Sequence, residues 1–166
     1  LFEADEQRTI FQLFIEQNIP DIKNNPAFFG HQVVVNEKEE ILKEIEPLLI
    51  SGLNAGINEI EQKVHSLGGL FIPAHIDRQK YSVVSQLGFI PKDLKFDALE
   101  ISKNISLEKA FKDFSYVKDA RFIRTSDSHS LNHIGTSVTT MKMKELDWVE
   151  LKMAILGIDG REIMIS

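Results

Sequence analysis

The sequence contains no cysteine, and this absence narrows the chemistry open to its 166 residues. Disulfide bonds and thiolate zinc sites are excluded, so histidine, aspartate and glutamate remain as the side chains that can bind a metal ion. The sequence also lacks an apolar run of the roughly 20 residues that a membrane helix needs, and it shows no secretory signal. We therefore expect a cytoplasmic protein without membrane contact.

Basic residues are too few and too scattered to form a large nucleic-acid surface. The chain has 25 acidic residues against 19 lysines and arginines, a net charge of −6, and no basic block stands out. Broad contact with a phosphate backbone is therefore disfavoured, and nucleic acid is an unlikely but not an excluded partner. A small phosphorylated substrate remains compatible, because the charge around its own site decides that case.

Hydrophobic periodicity predicts a mixed α/β domain. Residues 4–17 and 57–67 place apolar side chains at helical spacing, and glycines suited to helix ends flank the second segment. Residues 32–50 allow either a helix over 37–49 or two strands and a turn, and we favour the hairpin.

From Gly56 onward, predicted strands alternate with predicted helices over short connections. The strands are 70–74, 97–101, 121–125, 136–140 and 162–165, and the helices are 81–87, 107–114 and 144–157. This alternation predicts a single domain over residues 1–166, with a mostly parallel sheet or part of a β/α barrel.

Two of these strands end in polar residues that suit a metal site. His75 follows strand 70–74, and Asp127 and His129 follow strand 121–125. Ligands collect at the carboxyl ends of strands in α/β folds, so we expect the two ends to face one site. On an extended segment, Asp127 and His129 point from the same face, and a carboxylate with an imidazole suits a divalent ion.

The same residues also have ordinary structural interpretations. His75 could hydrogen-bond a backbone carbonyl, while Asp127 could cap a helix and leave His129 solvated. Arg78 could bind a phosphate through its guanidinium group, or it could pair with Asp77 or a surface acid.

Three motifs in order resemble a known family. They are Gly68-Gly69-Leu70-Phe71-Ile72-Pro73-Ala74-His75, Ala98-Leu99-Glu100-Ile101 and Ser126-Asp127-Ser128-His129. They resemble the carboxyl half of a PHP domain, the polymerase and histidinol phosphatase family of metal-dependent phosphoesterases. The resemblance covers roughly residues 53–135 and implies a distorted β/α barrel that holds divalent zinc, manganese or iron. It also implies that His75, Asp127 and His129 are metal ligands.

The amino-terminal ligands of that family have no counterpart here. The family pattern includes a His-x-His pair, an Asp-His pair, a glutamate and a further histidine, but His31, His65 and His133 stand in no matching context. The chain also begins at Leu1 rather than methionine. We therefore expect the later portion of a longer PHP protein, whose three ligands alone would hold a metal weakly, because closed sites need about four.

The resemblance implies a metal-dependent phosphoesterase, in which metal-activated water hydrolyses a phosphate ester and Arg78 contributes to substrate binding. The isolated chain is expected to be inactive. The alternative is a non-catalytic PHP-derived domain that serves as a scaffold or interaction surface.

Overall fold

A computed structural model of the chain describes residues 1–165. Its helices are α1 (Asp5–Gln17), α2 (Pro26–Phe29), α3 (Ile57–Ser66), α4 (Val83–Leu87), α5 (Leu107–Asp113) and α6 (Trp148–Leu156), and a 3₁₀ turn covers Leu131–His133. Its strands are β1 (Val33–Val35), β2 (Ile41–Glu44), β3 (Leu99–Glu100), β4 (Phe122–Ile123), β5 (Thr139–Lys142) and β6 (Glu162–Ile165). Among the helices over 1–165, none has the length and apolar character needed to cross a membrane.

The strands form three separate two-stranded sheets. β1 pairs antiparallel with β2, β5 pairs antiparallel with β6, and only β3 and β4 run parallel, with Leu99 opposite Phe122. The expectation of mostly parallel strands in part of a distorted β/α barrel is therefore wrong. Alternation of strand and helix sets the order of elements along the chain, but strand direction depends on how each connecting loop turns. The turn after α6 contains Gly157 and Gly160 in left-handed conformations and leads into an antiparallel β6.

The segment 70–74, predicted as a strand, runs beside β3 without forming a regular ladder. The carbonyl oxygens of Phe71 and Pro73 accept hydrogen bonds from the N–H groups of Asp97 at 2.9 Å and Glu100 at 3.0 Å. Pro73 has no N–H to donate in return, so the reciprocal bonds of a parallel ladder are incomplete. The segment still delivers His75 to the carboxyl end of β3.

Two clusters of buried apolar side chains support this region. The larger cluster comprises Ile76, Ile90, Leu94, Leu99, Ile101, Ile105, Ala110, Phe114 and Phe122. The smaller cluster comprises Leu70, Ala98, Ile123 and Ile155. Both clusters contain residues from or next to β3 and β4, so this parallel pair lies at the centre of the core and fixes the loops at its two ends.

The hairpin of β1 and β2 agrees with the favoured interpretation of residues 32–50 but lies outside both clusters. No residue from 21 to 50 is buried. The Gln32 side-chain amide donates hydrogen bonds to the carbonyl oxygens of Ile45 at 2.9 Å and Pro47 at 2.7 Å. The hairpin is therefore held at its base and exposed on both faces.

Candidate functional site

The loops after segment 70–74 and after β4 meet at the carboxyl edge of the β3–β4 pair. Nη2 of Arg78 lies 2.8 Å from Oδ2 of Asp127, and the two side chains are 40% and 35% exposed. An ion pair this exposed contributes only about 0–1 kcal/mol to stability. Its importance is geometric, because it brings together two polar loops that are far apart in the sequence.

Glu100, at the end of β3, connects the same two loops. One of its carboxylate oxygens accepts the backbone N–H of His75 at 3.0 Å, and the other accepts the hydroxyl of Thr125. The carboxylate therefore holds the backbone, not the imidazole, of His75. Thr125 was not identified from the sequence, although its position two residues after Ile123, which is the parallel partner of Glu100, is the signal that would have found it.

Two of the predicted metal ligands have strained backbones. The φ angle is +30° at His75 and +46° at Asp127, within the left-handed region that favours glycine. A non-glycine residue in this region costs roughly 1–2 kcal/mol. Strain of this kind is concentrated at functional sites, where the surrounding structure holds a side chain in position.

The donor atoms fit part of a metal site but not a complete one. Nδ1 of His75 is buried and has no hydrogen-bond partner among the described residues, as expected of an imidazole nitrogen available to a cation. The Asp127 carboxylate is engaged by Arg78, and Nδ1 of the exposed His129 lies 3.0 Å from the carbonyl oxygen of Asp127. Over residues 1–165, no three His, Asp or Glu side chains are grouped so that they could hold a metal ion.

Arg78 does not pair with its neighbour Asp77, because the Asp77 carboxylate is hydrogen-bonded to Ser102. Oδ1 of Asp77 accepts the N–H of Ser102 at 2.6 Å, and Oδ2 accepts the Ser102 hydroxyl at 2.5 Å. A cleft of about 1030 Å³ opens beside Arg78, with Lys80 and Tyr81 among its lining residues. This volume is slightly above the range of about 300–1,000 Å³ found for small-molecule sites.

The other histidines lie in different environments. His65 lies between two carboxylates within the fold, His31 contacts Glu44 at 2.7 Å on the exposed hairpin, and His133 is an exposed residue of the 3₁₀ turn.

Two solved structures of endonuclease Q are similar to this chain. The crystal structure of the lesion-specific endonuclease PfuEndoQ from Pyrococcus furiosus matches 98% of this chain with a TM-score of 0.69 and 22% sequence identity. A complex of endonuclease Q with a 27-mer duplex substrate, carrying an abasic lesion at the active site, matches 98% with a TM-score of 0.61 and 21% identity. The chain has a fold similar to part of endonuclease Q.

The likeness covers only a part of each similar protein. The chain spans 36% of each endonuclease Q chain. It is also 32% identical over 116 residues to the uncharacterized protein YqxK of Bacillus subtilis (strain 168), covering 67% of this chain and 30% of that relative. No protein-family model matches the chain. The structural matches establish a shared fold, and most of each similar protein has no counterpart in this chain.

Proposed function

We propose that this chain is the later portion of a PHP-type protein and supplies part of a metal-dependent phosphoesterase site. His75, Asp127 and His129 are the proposed metal ligands, and Arg78 is the proposed phosphate-binding residue. The observation that carries the proposal is the 2.8 Å contact between Arg78 and Asp127, because it joins the two loops on which all four residues lie.

Three further features support this assignment. Nδ1 of His75 is buried and has no partner among residues 1–165, and both His75 and Asp127 are held in strained conformations. Glu100 accepts the backbone N–H of His75 and so fixes the loop that carries this residue. The fold likeness to endonuclease Q raises the expectation of phosphoester chemistry, as an analogy at the level of the fold.

A bound divalent zinc, manganese or iron ion would supply an activated water and would stabilise negative charge on phosphoryl oxygens. The residues of this chain would bind the metal ion and orient the substrate phosphate. Arg78 offers a planar fork of N–H donors that matches a phosphate group, and a substrate phosphate would compete with Asp127 for that fork. The described residues contain no complete ligand set, so the proposal requires further ligands from outside them.

Hydrolysis of bis(p-nitrophenyl) phosphate by the longer protein that this proposal implies tests the proposal. We expect EDTA to abolish hydrolysis, Mn²⁺ to restore it, and Asp127→Asn to lower kcat/KM by about 10–100-fold or more. Asp21→Asn, at an exposed position outside the two loops, is the matched control and leaves activity unchanged. Activity that survives EDTA, or that is equal in the Asp127→Asn variant, contradicts the proposal.

A second substrate to test is a duplex with an abasic lesion, because one endonuclease Q complex holds a 27-mer duplex substrate with such a lesion at its active site. The acidic balance of this chain favours a small phosphorylated substrate instead. Cleavage of the duplex under conditions in which mononucleotides are untouched would decide for the nucleic acid.

A non-catalytic scaffold is the second candidate, and the absence of a three-donor group over residues 1–165 favours it. It predicts that Mn²⁺ neither binds nor activates the longer protein that the first proposal implies. Circular dichroism would show that the protein used in this test is folded.

A further inference from the structure

A second cavity, of about 660 Å³, lies at the opposite end of the β3–β4 pair from His75 and Asp127. The loop that enters β3 and the loop that enters β4 form its walls, and Leu156 of α6 lies on one side. Because β3 and β4 are parallel, their amino ends share one edge and their carboxyl ends share the other. The cavity is therefore separate from the candidate metal site, and a ligand could occupy it whether or not that site binds a metal.

The lining of this cavity is basic in a chain whose net charge is −6. Four of its 13 lining residues are cationic, namely Lys92, Lys95, Lys118 and Arg121. None of the four forms an ion pair with another residue of the described chain. Their charges are therefore available to a ligand.

The acidic groups at the cavity do not cancel this charge. Asp97 is one of two acids in the lining, but its Oδ2 already accepts hydrogen bonds from Nε2 of His65 at 2.9 Å and from the N–H of Phe71 at 2.7 Å. Counted with Asp119, the lining has two carboxylates against four cations, which still leaves an excess of positive charge. Clustered charge of one sign in a concave site produces a local potential opposite to that of the whole molecule.

The cavity also has an apolar wall. Leu94 is buried, Phe96 is half-buried, and the hydroxyl of Tyr116 accepts the N–H of Ile90 at 3.2 Å, which holds the aromatic ring in place. The volume lies within the range of about 300–1,000 Å³ found for small-molecule sites. Cations beside an apolar wall suit a ligand with one anionic and one apolar end.

Arg121 borders the cavity and also lies close to the backbone at the end of α6. A Cβ atom added to Gly157 would lie 3.0 Å from its Nη2 and 3.1 Å from its Nε. The guanidinium group therefore rests against the end of α6, and a side chain at Gly157 would displace it by a few tenths of an ångström.

We propose that this cavity binds a small phosphate monoester with an aromatic body, such as a nucleoside monophosphate. The phosphate lies among the four cationic side chains, with Arg121 supplying the bidentate donor, and the aromatic group packs on Leu94, Phe96 and Tyr116. Paired donors on a guanidinium recognise phosphate by geometry as well as by charge. The cavity is concave and the chain is acidic overall, which favours a small ligand over a nucleic-acid strand.

Isothermal titration of the chain with AMP at low ionic strength tests this site, with adenosine and inorganic phosphate as separate probes. We expect saturable AMP binding with a dissociation constant below about 1 mM and a loss of affinity as salt is added. Arg121→Gln should weaken AMP binding about tenfold, and Lys118→Glu should weaken it further. Lys103→Gln, which removes an exposed lysine outside the cavity, is the matched control with unchanged affinity.

The variants replace exposed side chains, and a circular dichroism melt of each one verifies that it is folded. Adenosine that binds as tightly as AMP would overturn the proposal, because the cations would then contribute nothing. Inorganic phosphate that binds as tightly as AMP would overturn the role of the apolar wall. The absence of AMP binding would overturn the proposed site. Duplex DNA that binds in an Arg121- and Lys118-dependent manner, when AMP does not bind, would identify the cations as a nucleic-acid surface and would also overturn the proposal.

Discussion

Asp97 and His65, 32 residues apart in the sequence, are joined by a 2.9 Å hydrogen bond between Oδ2 and Nε2. The other ring nitrogen of His65 lies 2.5 Å from Oε1 of Glu61, a buried residue of α3. Asp97 also accepts the N–H of Phe71 at 2.7 Å. The imidazole thus ties α3 to the loop before β3, between two carboxylates.

This arrangement makes stability depend on pH. Burial alone would lower the pKa of His65, but the hydrogen bonds to Asp97 and Glu61 outweigh it and raise the pKa above its ordinary value of 6.5. Because the pKa of His65 is raised in the folded state, its contribution to the free energy of unfolding is complete below pH 6.5. This contribution is lost as the pH rises through the folded-state pKa. Urea denaturation should therefore give a smaller unfolding free energy at about pH 9 than at about pH 6.

His65→Gln is the variant that isolates this effect. The Leu1 amino group, whose pKa is lowered by burial, titrates with the opposite sign, so the informative quantity is the difference between wild type and His65→Gln. That difference should shrink as pH rises. A difference that is constant with pH would show that the imidazole contributes no charge-dependent stability.

The ion pair between Glu150 and Arg161 predicts a second pH effect with the opposite sign. Oε1 of Glu150 lies 2.5 Å from Nη2 of Arg161, and Oε2 accepts the N–H of Lys144 at 2.7 Å. The hydrogen bonds from Arg161 and Lys144 lower the pKa of Glu150 from 4.5 to about 2. This contribution is complete above pH 4.5 and is lost as pH falls through about 2.

We therefore expect Glu150→Gln to lower the Tm at neutral pH and to differ little from wild type near pH 2. Glu145→Gln, at an exposed neighbouring position, should leave the Tm unchanged at both pH values. If Glu150→Gln lowered the Tm equally at both pH values, the loss would come from changed packing and not from the missing charge.

Ile155 is the residue whose truncation should cost most in the smaller apolar cluster. It is fully buried on α6 and packs with Leu70, Ala98 and Ile123. Ile155→Ala should lower the unfolding free energy by about 2–5 kcal/mol, because it leaves a cavity as well as removing buried surface. Leu146→Ala, at a position 91% exposed, should stay within about 0.5 kcal/mol of wild type. Similar losses in both variants would mean that α6 does not pack on this cluster.

Glu100 should control the local stability of the loop that carries His75. Because its carboxylate accepts the His75 N–H and the Thr125 hydroxyl, Glu100→Ala removes the acceptor of both groups. We expect amide hydrogen exchange at His75 to accelerate about tenfold, while exchange in α3 is unchanged. Glu108→Ala, which replaces an exposed acid in the first turn of α5, is the control. Unchanged exchange at His75 would contradict the role of Glu100.

Sequence patterns predicted the elements whose signals are local. The apolar spacing of residues 57–67 predicted α3, with Gly56 preceding it and Gly68 in a left-handed conformation after it. The same holds for the hairpin within residues 32–50. These elements depend on neighbours a few residues away, which a single sequence displays.

Features that depend on distant partners were not predictable in the same way. The antiparallel direction of β6 follows from the turn after α6, and the missing ladder at segment 70–74 follows from Pro73. The sequence allowed a carboxylate partner for Arg78 but did not identify Asp127 as that partner. The two carboxylates that bind His65 became visible only in three dimensions.

The most direct test of metal ligation uses Mn²⁺ as a paramagnetic probe in amide-resolved NMR spectra of this chain. Substoichiometric Mn²⁺ should selectively broaden the amide signals of residues 75–78 and 125–129, and His75→Gln should abolish this broadening while His31→Gln, on the exposed hairpin, leaves it intact. Broadening confined to other acidic surfaces would contradict a metal site at the carboxyl edge of β3 and β4. Broadening at residues 75–78 and 125–129 that persists in the His75→Gln variant would contradict ligation by His75.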